Sequence, residues 1–309
     1  MKIFVTGVNG QLGHDVMYEW IKRGYECVVS DVAPCYGGGQ APGKDGGEGK
    51  LPAGASYLPM DITDKAQVEQ VITEVSPDAV IHCAAWTAVD MAEDDDKVDR
   101  VFAVNAEGTR NLAEVCKKLD CKMMYISTDY VFNGQGETPW EPDCRDYQPL
   151  NIYGKSKLEG ELAVSRLLEK YFIVRIAWVF GVNGGNFIKT MLKAGKKYDT
   201  VRVVNDQIGT PTYTYDLARL LADMILTDRY GYYHATNEGG YISWYDFACE
   251  IYKQAGMKTH VVPVTTQGYG LSKAARPFNS RLDKRKLAEN GFKPLPHWKD
   301  ALERYLNLL

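Results

Sequence analysis

Residues 2–13 read KIFVTGVNGQLG, and this stretch gives the clearest indication of the fold. An apolar, β-branched strand pattern runs directly into Gly7, Gly10 and Gly13, after which a helical pattern begins. Glycines at such a turn let the backbone approach a pyrophosphate, which the free N–H groups of a helix N-terminus can bind. A tight strand-to-helix turn without any ligand would have the same spacing. Because this turn joins the first strand and helix, we favour dinucleotide binding.

Strand and helix patterns then alternate up to about residue 178. The predicted strands are residues 2–7, 26–31, 79–85, 122–128 and 172–178, and the predicted helices are Gln11–Arg23, Lys65–Val75, Val98–Lys118 and Ser156–Lys170. This order predicts an α/β fold, a doubly wound parallel sheet of the Rossmann type.

The second half of the chain departs from that alternation. We assign residues 1–177 to a dinucleotide-binding domain, to which roughly residues 203–228 return. Residues 178–202 and 229–309 are assigned to a smaller C-terminal substrate lobe. Within the lobe, Ser243 is expected to cap one helix, and the last helix is expected to start at Trp298.

Residues 33–55, APCYGGGQAPGKDGGEGKLPAGA, form an unusual insertion. It holds eight of the 29 glycines and three prolines, and it lacks apolar periodicity. Such a composition predicts a flexible, solvated loop with no core of its own. We therefore expect limited proteolysis to cut here first.

Composition excludes several classes of protein. The chain has 309 residues, 45% hydrophobic and 25% charged, with a net charge of −4, which gives no basic surface for nucleic acid. No run of 18 apolar residues suggests a membrane span, and the glycine-rich start does not resemble a signal peptide. Seven scattered cysteines and five scattered histidines predict reduced thiols, a cytoplasmic location and no metal site.

Residues 151–161, NIYGKSKLEGE, place Tyr153 four residues before Lys157. On a helix these positions share one face, and an ammonium near a phenol favours its ionised form. The pair is therefore a candidate proton donor, although a Tyr-x-x-x-Lys match also occurs by chance in ordinary amphipathic helices. Asp31, at the end of the second strand, is placed to hold the ribose hydroxyls of a dinucleotide, or else to cap a loop.

Six motifs in order resemble one family over almost the whole chain outside the insertion. They are STDYVFNGQGETPWEPD (127–143), NIYGKSKLEGE (151–161), VRIAWVFG (174–181), NFIKTM (186–191), VVNDQIGTPT (203–212) and RPFNSRL (276–282). Together with the glycine turn, they resemble the extended short-chain dehydrogenases/reductases and, more narrowly, the dTDP-4-dehydrorhamnose reductases. The resemblance implies NADH or NADPH as cofactor and a nucleotide-linked 4-keto-6-deoxy sugar as substrate.

The resemblance also implies residue roles. Tyr153 would give a proton to the carbonyl oxygen, Lys157 would stabilise phenolate character and bond the nicotinamide ribose, and Thr128 would hydrogen-bond the carbonyl. The implied catalytic residues are Thr128, Tyr153 and Lys157. The implied cofactor-binding residues are Gly7, Asn9, Gly10, Gln11, Leu12, Gly13, Asp31, Asp61, Ile62, Ala84, Ala85, Thr87, Asn105, Tyr153 and Lys157. The implied substrate-binding residues are Thr128, Asp129, Tyr130, Trp178, Asn186 and Arg276.

Several alternatives stay open. Thr128 could merely end a strand, Asp129 and Tyr130 could be turn residues, and the Trp178 indole could belong to the core. Tyr130 stands where related dehydratases carry glutamate, which favours reduction over dehydration. Trp86, which we expect on the nicotinamide side, stands where relatives carry histidine.

The alternatives for the whole protein are a different nucleotide-sugar reductase or epimerase, and a non-catalytic regulatory subunit such as that of methionine adenosyltransferase. We expect a slight preference for NADH, because Asp31 would repel a 2′-phosphate. Lys44 and Lys50, in the insertion, oppose that preference, because their positive charges would attract a 2′-phosphate. A homodimer is the assembly left open.

Overall fold

The computed structural model describes residues 1–38 and 50–309. Its strands are β1 (Lys2–Thr6), β2 (Glu26–Asp31), β3 (Ala55–Pro59), β4 (Ala79–His82), β5 (Lys122–Thr128), β6 (Tyr171–Ile176), β7 (Val179–Phe180), β8 (Thr200–Val204), β9 (Ile208–Gly209), β10 (Thr212–Tyr213), β11 (Gly231–His234), β12 (Asn237–Glu238), β13 (Ile242–Ser243), β14 (His260–Val264) and β15 (Leu295–His297). Its helices are α1 (Gln11–Lys22), α2 (Lys65–Val75), α3 (Val98–Phe102), α4 (Gly108–Leu119), α5 (Ile152–Leu167), α6 (Phe187–Lys197), α7 (Thr214–Ile225), α8 (Trp244–Gln254), α9 (Thr266–Tyr269), α10 (Arg285–Glu289) and α11 (Trp298–Leu306).

Seven of these strands form one parallel sheet in the order β11-β6-β5-β4-β1-β2-β3. Alternate side chains of β1 face opposite layers, as a strand requires. Ile3 and Val5 pack with α1 and α7, whereas Phe4 packs with α2, α4 and α5. The predicted doubly wound Rossmann-type α/β fold is confirmed.

The observed bounds differ from the predicted ones at several ends. The predicted strands 79–85 and 172–178 stop at His82 and Ile176, where the chain enters the loops that border the cavity described below. The predicted helix Val98–Lys118 is a continuous run of α3, a π-helical stretch at Ala103–Glu107 and α4. Such π-helical stretches are frequent at functional sites.

The helix that carries the Tyr-x-x-x-Lys pair starts earlier than predicted. α5 begins at Ile152 rather than Ser156, because Asn151 caps it by accepting a hydrogen bond from the N–H of Gly154 at 2.8 Å. The helix also ends at Leu167 rather than Lys170. The earlier start places Tyr153 in the first turn, at the end of the helix that faces the cavity.

The smaller lobe consists of short two-stranded sheets with α6, α8 and α11. The pairs β7–β10, β9–β13 and β8–β14 lie outside the main sheet, and Phe180, Ile188, Phe247 and Trp298 share one of the lobe's cores. Strand β11, which falls within the predicted lobe range 229–309, pairs instead with β6 at the edge of the main sheet. Ser243 caps α8 with a full capping box, and α11 starts at Trp298.

Residues 39–49 of the predicted loop 33–55 lie outside the described part of the chain. Its flanks are more structured than predicted. Tyr36 is buried against the core, the N–H of Gly37 donates to Asn9, and Ala55 opens β3. In the described residues, no helix is both long and apolar enough to cross a membrane.

Candidate active site

A cavity of about 750 Å³ opens at the carboxyl ends of the main-sheet strands and is bordered by the smaller lobe. Open α/β sheets bind ligands in this crevice. We call its two parts the cofactor half, around the Gly7–Gly13 turn, Asp31 and Asp61, and the substrate half, around Trp178, Trp244 and Arg276. The predicted residues that line it are Gly7, Gly10, Gln11, Leu12, Gly13, Asp31, Asp61, Ile62, Ala84, Ala85, Thr87, Thr128, Asp129, Tyr130, Tyr153, Lys157, Trp178 and Arg276.

The glycine turn has no room for side chains. Gly7 has φ +72°, and a Cβ atom there would lie 2.6 Å from the backbone N of Ala84. A Cβ atom on Gly13 would collide with the carbonyl oxygen of Gly7. The Thr6 hydroxyl accepts a hydrogen bond from that same Ala84 N–H at 3.2 Å. These contacts pack the N-terminus of α1 against the end of β4 and leave its backbone open to the cavity.

Asp31 borders the cofactor half, with both carboxylate oxygens engaged. They accept hydrogen bonds from the N–H of Val32 at 2.8 Å and from the N–H of Asn9 at 3.0 Å. Asn9 itself does not line the cavity, because its side chain accepts a hydrogen bond from the N–H of Gly37 at 3.0 Å. Asn9 therefore ties the glycine turn to the segment after β2.

A cation that the sequence reasoning missed lies beside Asp61. The Arg100 guanidinium is 3.4 Å from Asp61 Oδ2 and also lines the cavity. Asp61 is fixed by the N–H and hydroxyl of Thr63, at 2.9 and 2.7 Å, and these bonds with Arg100 lower its pKa despite partial burial. Nothing in the spacing of Arg100 from the glycine turn indicated this proximity, because α3 brings it there from another layer.

Thr128, Tyr153 and Lys157 converge where the two halves meet. Thr128 ends β5 and its hydroxyl donates to Asp129 Oδ1 at 3.1 Å. Lys157 is 3% exposed, donates to the carbonyl of Ile126 at 2.7 Å and lies 4.0 Å from the Tyr125 ring centroid. The cavity thus holds a phenol, a hydroxyl and an ammonium at the ends of two neighbouring elements.

Burial controls the protonation of this group. Loss of water raises the pKa of the Tyr153 phenol above its ordinary value, while its contact with the Thr128 hydroxyl lowers it by less. Burial also lowers the pKa of Lys157 to about 7, opposed by the negative charge of Glu161. Tyr153 is therefore held in the protonated form that a proton donor needs.

Asn105 supports the site from behind rather than lining the cavity. It lies in the π-helical stretch and is 1% exposed. Its side chain accepts from the N–H of Trp86 at 2.8 Å and donates to the Trp86 carbonyl at 3.1 Å and to Ser156 Oγ at 2.9 Å. Asn105 thus joins the loop after β4 to α5. Trp86, expected near the nicotinamide, does not line the cavity, whereas its neighbours Ala85 and Thr87 do.

Asp129 and Tyr130 face the substrate half beside Tyr153. Asp129 is 2% exposed, and burial raises its pKa to about 6, opposed in part by the neighbouring hydroxyls of Ser280 and Thr128. Its Oδ2 atom has no hydrogen-bond partner among the described residues. The Tyr130 ring meets the Tyr153 ring edge to face, with centroids 5.6 Å apart. A buried carboxylate oxygen without a partner is suited to a ligand hydroxyl.

The far wall of the substrate half is aromatic. Trp178 lines the cavity, so the indole belongs to the site rather than to the core alone. Trp244 stacks on it with centroids 3.8 Å apart, and Phe187 packs against Trp244 at 4.5 Å. Sequence reasoning missed Trp244, whose one signal was its place directly after the Ser243 cap.

Arg276 and Asn186 are both predicted substrate-binding residues, and of the two only Arg276 lines the cavity. Arg276 lines the cavity, and its fork is held by both oxygens of Asp90, at 2.9 and 2.8 Å. Asn186 does not line it, because its side chain caps α6 and bonds Gln11, Gly181 and Tyr305. Asn186 therefore fixes the loop that precedes the aromatic wall.

No group of three or more His, Cys, Asp or Glu side chains within residues 1–38 and 50–309 has the arrangement of a metal site. The polar side chains that line the cavity include hydroxyls, carboxylates, guanidinium groups, the Lys157 amine and the Gln11 amide. This donor set suits a polyhydroxylated, anionic ligand.

Comparison with known proteins places this geometry in a family. The model of the RmlD substrate binding domain matches residues 1–309. The dTDP-4-dehydrorhamnose reductase of Streptomyces griseus is 41% identical over 249 residues, 79% of this chain and 81% of its own. The spore coat polysaccharide biosynthesis protein SpsK of Bacillus subtilis is 35% identical over 305 residues, 99% of this chain and 96% of its own. A crystal structure of the Bacillus anthracis dTDP-4-dehydrorhamnose reductase in complex with NADP superposes with a TM-score of 0.83 at 38% identity, covering 99% of this chain and 98% of that one.

Proposed function

The chain belongs to the family of the dTDP-4-dehydrorhamnose reductases, whose RmlD substrate binding domain model spans it from end to end, and on that premise we propose its reaction. It reduces the C4 keto group of dTDP-4-dehydro-6-deoxy-L-mannose with NAD(P)H and releases dTDP-L-rhamnose. The observation that carries this proposal is the meeting of Tyr153, Thr128 and Lys157 in one cavity, opposite an unobstructed glycine turn.

The cofactor half fits a dinucleotide. Cβ atoms at Gly7 and Gly13 would collide with neighbouring backbone, so only glycine permits this tight turn, and the N-terminus of α1 has no side-chain cap. Its N–H groups would be available to a pyrophosphate. Asp31 would hold the adenosine ribose, and Asp61 with Ile62 would border the adenine. When bound, NADH or NADPH supplies a hydride to the C4 carbon of the sugar.

Tyr153 and Thr128 stabilise the negative charge that develops on the sugar oxygen. As the carbonyl carbon is reduced, its oxygen gains negative charge, and the Tyr153 phenol gives up its proton to that oxygen. Thr128 donates a hydrogen bond to the same oxygen. Donors fixed in place before the reaction stabilise such charge without reorganising. The raised pKa of Tyr153 ensures that the proton is present at neutral pH.

Lys157 serves the phenolate that remains on Tyr153. Its pKa near 7 allows the ammonium to lose or regain a proton at neutral pH as the charge beside it changes. Glu161, one helical turn further along α5, favours the charged form. We assign Lys157 to the nicotinamide ribose as well, since it lies at the meeting point of the two halves.

The substrate half recognises the rest of the nucleotide sugar. Asp129 accepts a hydrogen bond from a sugar hydroxyl, Tyr130 and Trp178 border the sugar ring, and Arg276 faces its diphosphate. Tyr130 occupies the place where a dehydratase needs an acidic side chain to move a proton at the neighbouring carbon. Without that carboxylate, the reaction stops at reduction of the keto group.

The cofactor preference and the setting of the enzyme are parts of the same proposal. Asp31 presents a fixed negative charge, and we keep a slight preference for NADH with NADPH also used. Lys50 is described and exposed, whereas Lys44 lies outside the described residues. We place the enzyme in the cytoplasm, where it acts on a small nucleotide-sugar substrate and binds neither nucleic acid nor a membrane. A homodimer is the first assembly state to test.

The experiment that tests the proposal is incubation with dTDP-4-dehydro-6-deoxy-L-mannose and either coenzyme. The dihydronicotinamide absorbance should fall in proportion to the sugar, and the product should be dTDP-L-rhamnose. Efficient turnover of a uridine-linked sugar in place of the thymidine-linked one would move the assignment to another nucleotide-sugar reductase. Absence of any turnover would favour the regulatory subunit.

A further inference from the structure

Trp178 has a backbone conformation that tryptophan rarely adopts. Its φ is +50°, in the left-handed region, where a bulky side chain crowds its own backbone. Such strain persists only where the surrounding structure holds it, and it concentrates at ligand-binding sites. Since Trp178 also lines the substrate half, the contacts that hold it bear on substrate binding.

The backbone on either side of Trp178 is fixed first. Ile176, two residues earlier, lies opposite Thr128 in the β5–β6 register, so Trp178 follows the strand end beside the reacting hydroxyl. The Trp178 carbonyl accepts a hydrogen bond from the N–H of Thr212 at 3.1 Å, and Ala177 accepts one from the Thr212 hydroxyl at 2.6 Å. β7 and β10 therefore determine where the residue stands.

One face of the indole is covered by Trp244. The two ring systems lie 3.8 Å apart with an angle of 15° between their planes. Trp244 is the first residue of α8, whose start is fixed by the capping box of Ser243 and Asp246. Phe187 packs against Trp244, and both rings contact Phe247 in the lobe core. The stack thus fastens the cavity wall to the lobe.

The edge of the indole is limited by Gly209. A Cβ atom there would lie 2.8 Å from Cε2 of Trp178 and 3.0 Å from Cβ of Ser280. Gly209 pairs with Ile242 in β9–β13, two residues before Trp244, so the same small sheet sets both contacts. Any side chain at position 209 would push the indole out of its present plane.

We propose that Trp244 and Gly209 are positioning residues that hold the Trp178 indole, which projects from a left-handed backbone position, as a rigid wall for the deoxysugar ring. The inference rests on the proposed function and adds to it the origin of sugar recognition. A side chain already fixed in its bound orientation loses little conformational freedom on binding, so affinity is gained without new contacts. Catalysis stays with Thr128, Tyr153 and Lys157.

The test compares Trp244→Leu, Trp244→Phe and Gly209→Ala with Trp298→Leu. Trp298 lies in the same lobe core but away from the cavity. Trp298→Leu therefore controls for a general loss of packing in the lobe. Near-ultraviolet circular dichroism of the stacked indoles reports the position of Trp178 without substrate. Steady-state kinetics give KM and kcat for the dTDP-sugar. Titration with coenzyme measures coenzyme affinity, which serves as an internal control because the substitutions lie in the other half of the cavity.

We expect Trp244→Leu and Gly209→Ala to change the dichroism and to raise KM for the sugar about tenfold, equivalent to about 1.4 kcal/mol. The kcat value and the coenzyme affinity should stay near wild type, and Trp244→Phe should restore most of the binding. An active enzyme whose KM is unaffected when the stack is lost, or whose KM rises equally in Trp298→Leu, would overturn the inference. A wild-type protein that turns over no dTDP-sugar would overturn the proposed function, and the inference with it.

Discussion

The cofactor half and the substrate half of the cavity are built by different means. The cofactor half comes from consecutive strand ends of one parallel sheet, and its central feature is a glycine turn in which each contact lies within or next to β1 and β4. The substrate half gathers Trp178, Gly209, Trp244 and Arg276 from loops, a short strand and the start of α8, which lie far apart in the chain. One half is therefore set by local backbone geometry and the other by tertiary packing.

The difference shows in how polar groups are satisfied. Asp31 in the cofactor half already accepts two backbone hydrogen bonds, so its orientation is fixed before any ligand arrives. Asp129 in the substrate half keeps one buried oxygen without a partner in the described structure. We infer that the cofactor half is complete in itself, whereas the substrate half is completed by the sugar.

The largest effect is expected at Tyr153, where the halves meet. Tyr153→Phe removes the acid but keeps the ring, and kcat should fall by about 10²–10⁴-fold. Coenzyme affinity, measured by fluorescence titration, should be unchanged. Tyr130→Phe is the matched control, because it removes a neighbouring phenol 5.6 Å away between ring centroids. Equal losses in both variants would assign the effect to the aromatic pair rather than to one proton donor.

The second prediction concerns the support beneath α5. Glu161 and Arg175 are both fully buried and form two hydrogen bonds at 2.8 and 2.7 Å. Glu161→Ala leaves a buried guanidinium without its partner, and the free energy of unfolding should fall by about 3–5 kcal/mol. Denaturant titration measures this loss. Glu159→Ala, on the exposed face of the same helix, should change stability by no more than about 0.5 kcal/mol.

The third prediction separates the halves by pH. The pKa of Asp129 is raised to about 6, so the carboxylate that accepts a sugar hydroxyl is present above that pH and is lost below it. The kcat/KM value for the sugar should therefore fall as pH drops through about 6. Asp129→Asn should remove this limb and lower the plateau by about tenfold, leaving coenzyme affinity intact.

A stability measurement checks the same residue independently. The folded-state pKa of Asp129 lies above its ordinary value of 3.8, so the folded protein binds more protons between pH 3.8 and about 6. Stability contributed by this group is then lost as pH rises through that window. Asp129→Asn should melt no lower than wild type at neutral pH. A lower Tm would mean that the carboxylate stabilises the fold instead of serving a ligand.

The smallest effect is expected in coenzyme choice. Asp31→Ala removes the fixed negative charge of the cofactor half, so the slight preference for NADH should shrink, mostly through weaker NADH binding. The ratio of kcat/KM values for the two coenzymes measures this, with KM for the sugar as the control that should not move. A wild-type preference for NADPH of tenfold or more would show that Asp31 does not govern the choice.

How far the sequence could predict the site follows the same division. The glycine turn, Asp31 and the Tyr153–Lys157 pair were recognisable because strand-to-helix order and helical spacing are local properties of the chain. The side-chain amides of Asn9, Asn105 and Asn186, all predicted as binding residues, bond the backbone of neighbouring segments, and no spacing in the sequence indicated those partners. A motif shows that a residue type is needed, without showing which partner it has.

The substrate half could not be read in the same way. The Trp178–Trp244 stack joins residues 66 positions apart and depends on Gly209, whose role appears only when a Cβ atom is placed in the folded chain. Arg100 on α3 and Asp90 in the turn before it pair with Asp61 and Arg276, contacts between segments that no periodicity indicates. The raised pKa of Tyr153 also needed the structure, because i and i+4 spacing predicts proximity to Lys157 but says nothing of burial.

The most direct test of the account follows the hydride itself. The protein is incubated with dTDP-4-dehydro-6-deoxy-L-mannose and coenzyme carrying deuterium at the transferable position of the nicotinamide, and the product is examined by NMR and mass spectrometry. The account predicts dTDP-L-rhamnose with one deuterium, located at C4 of the sugar. Deuterium at another carbon, a product without deuterium, or a C4 epimer of rhamnose would contradict the proposed reduction.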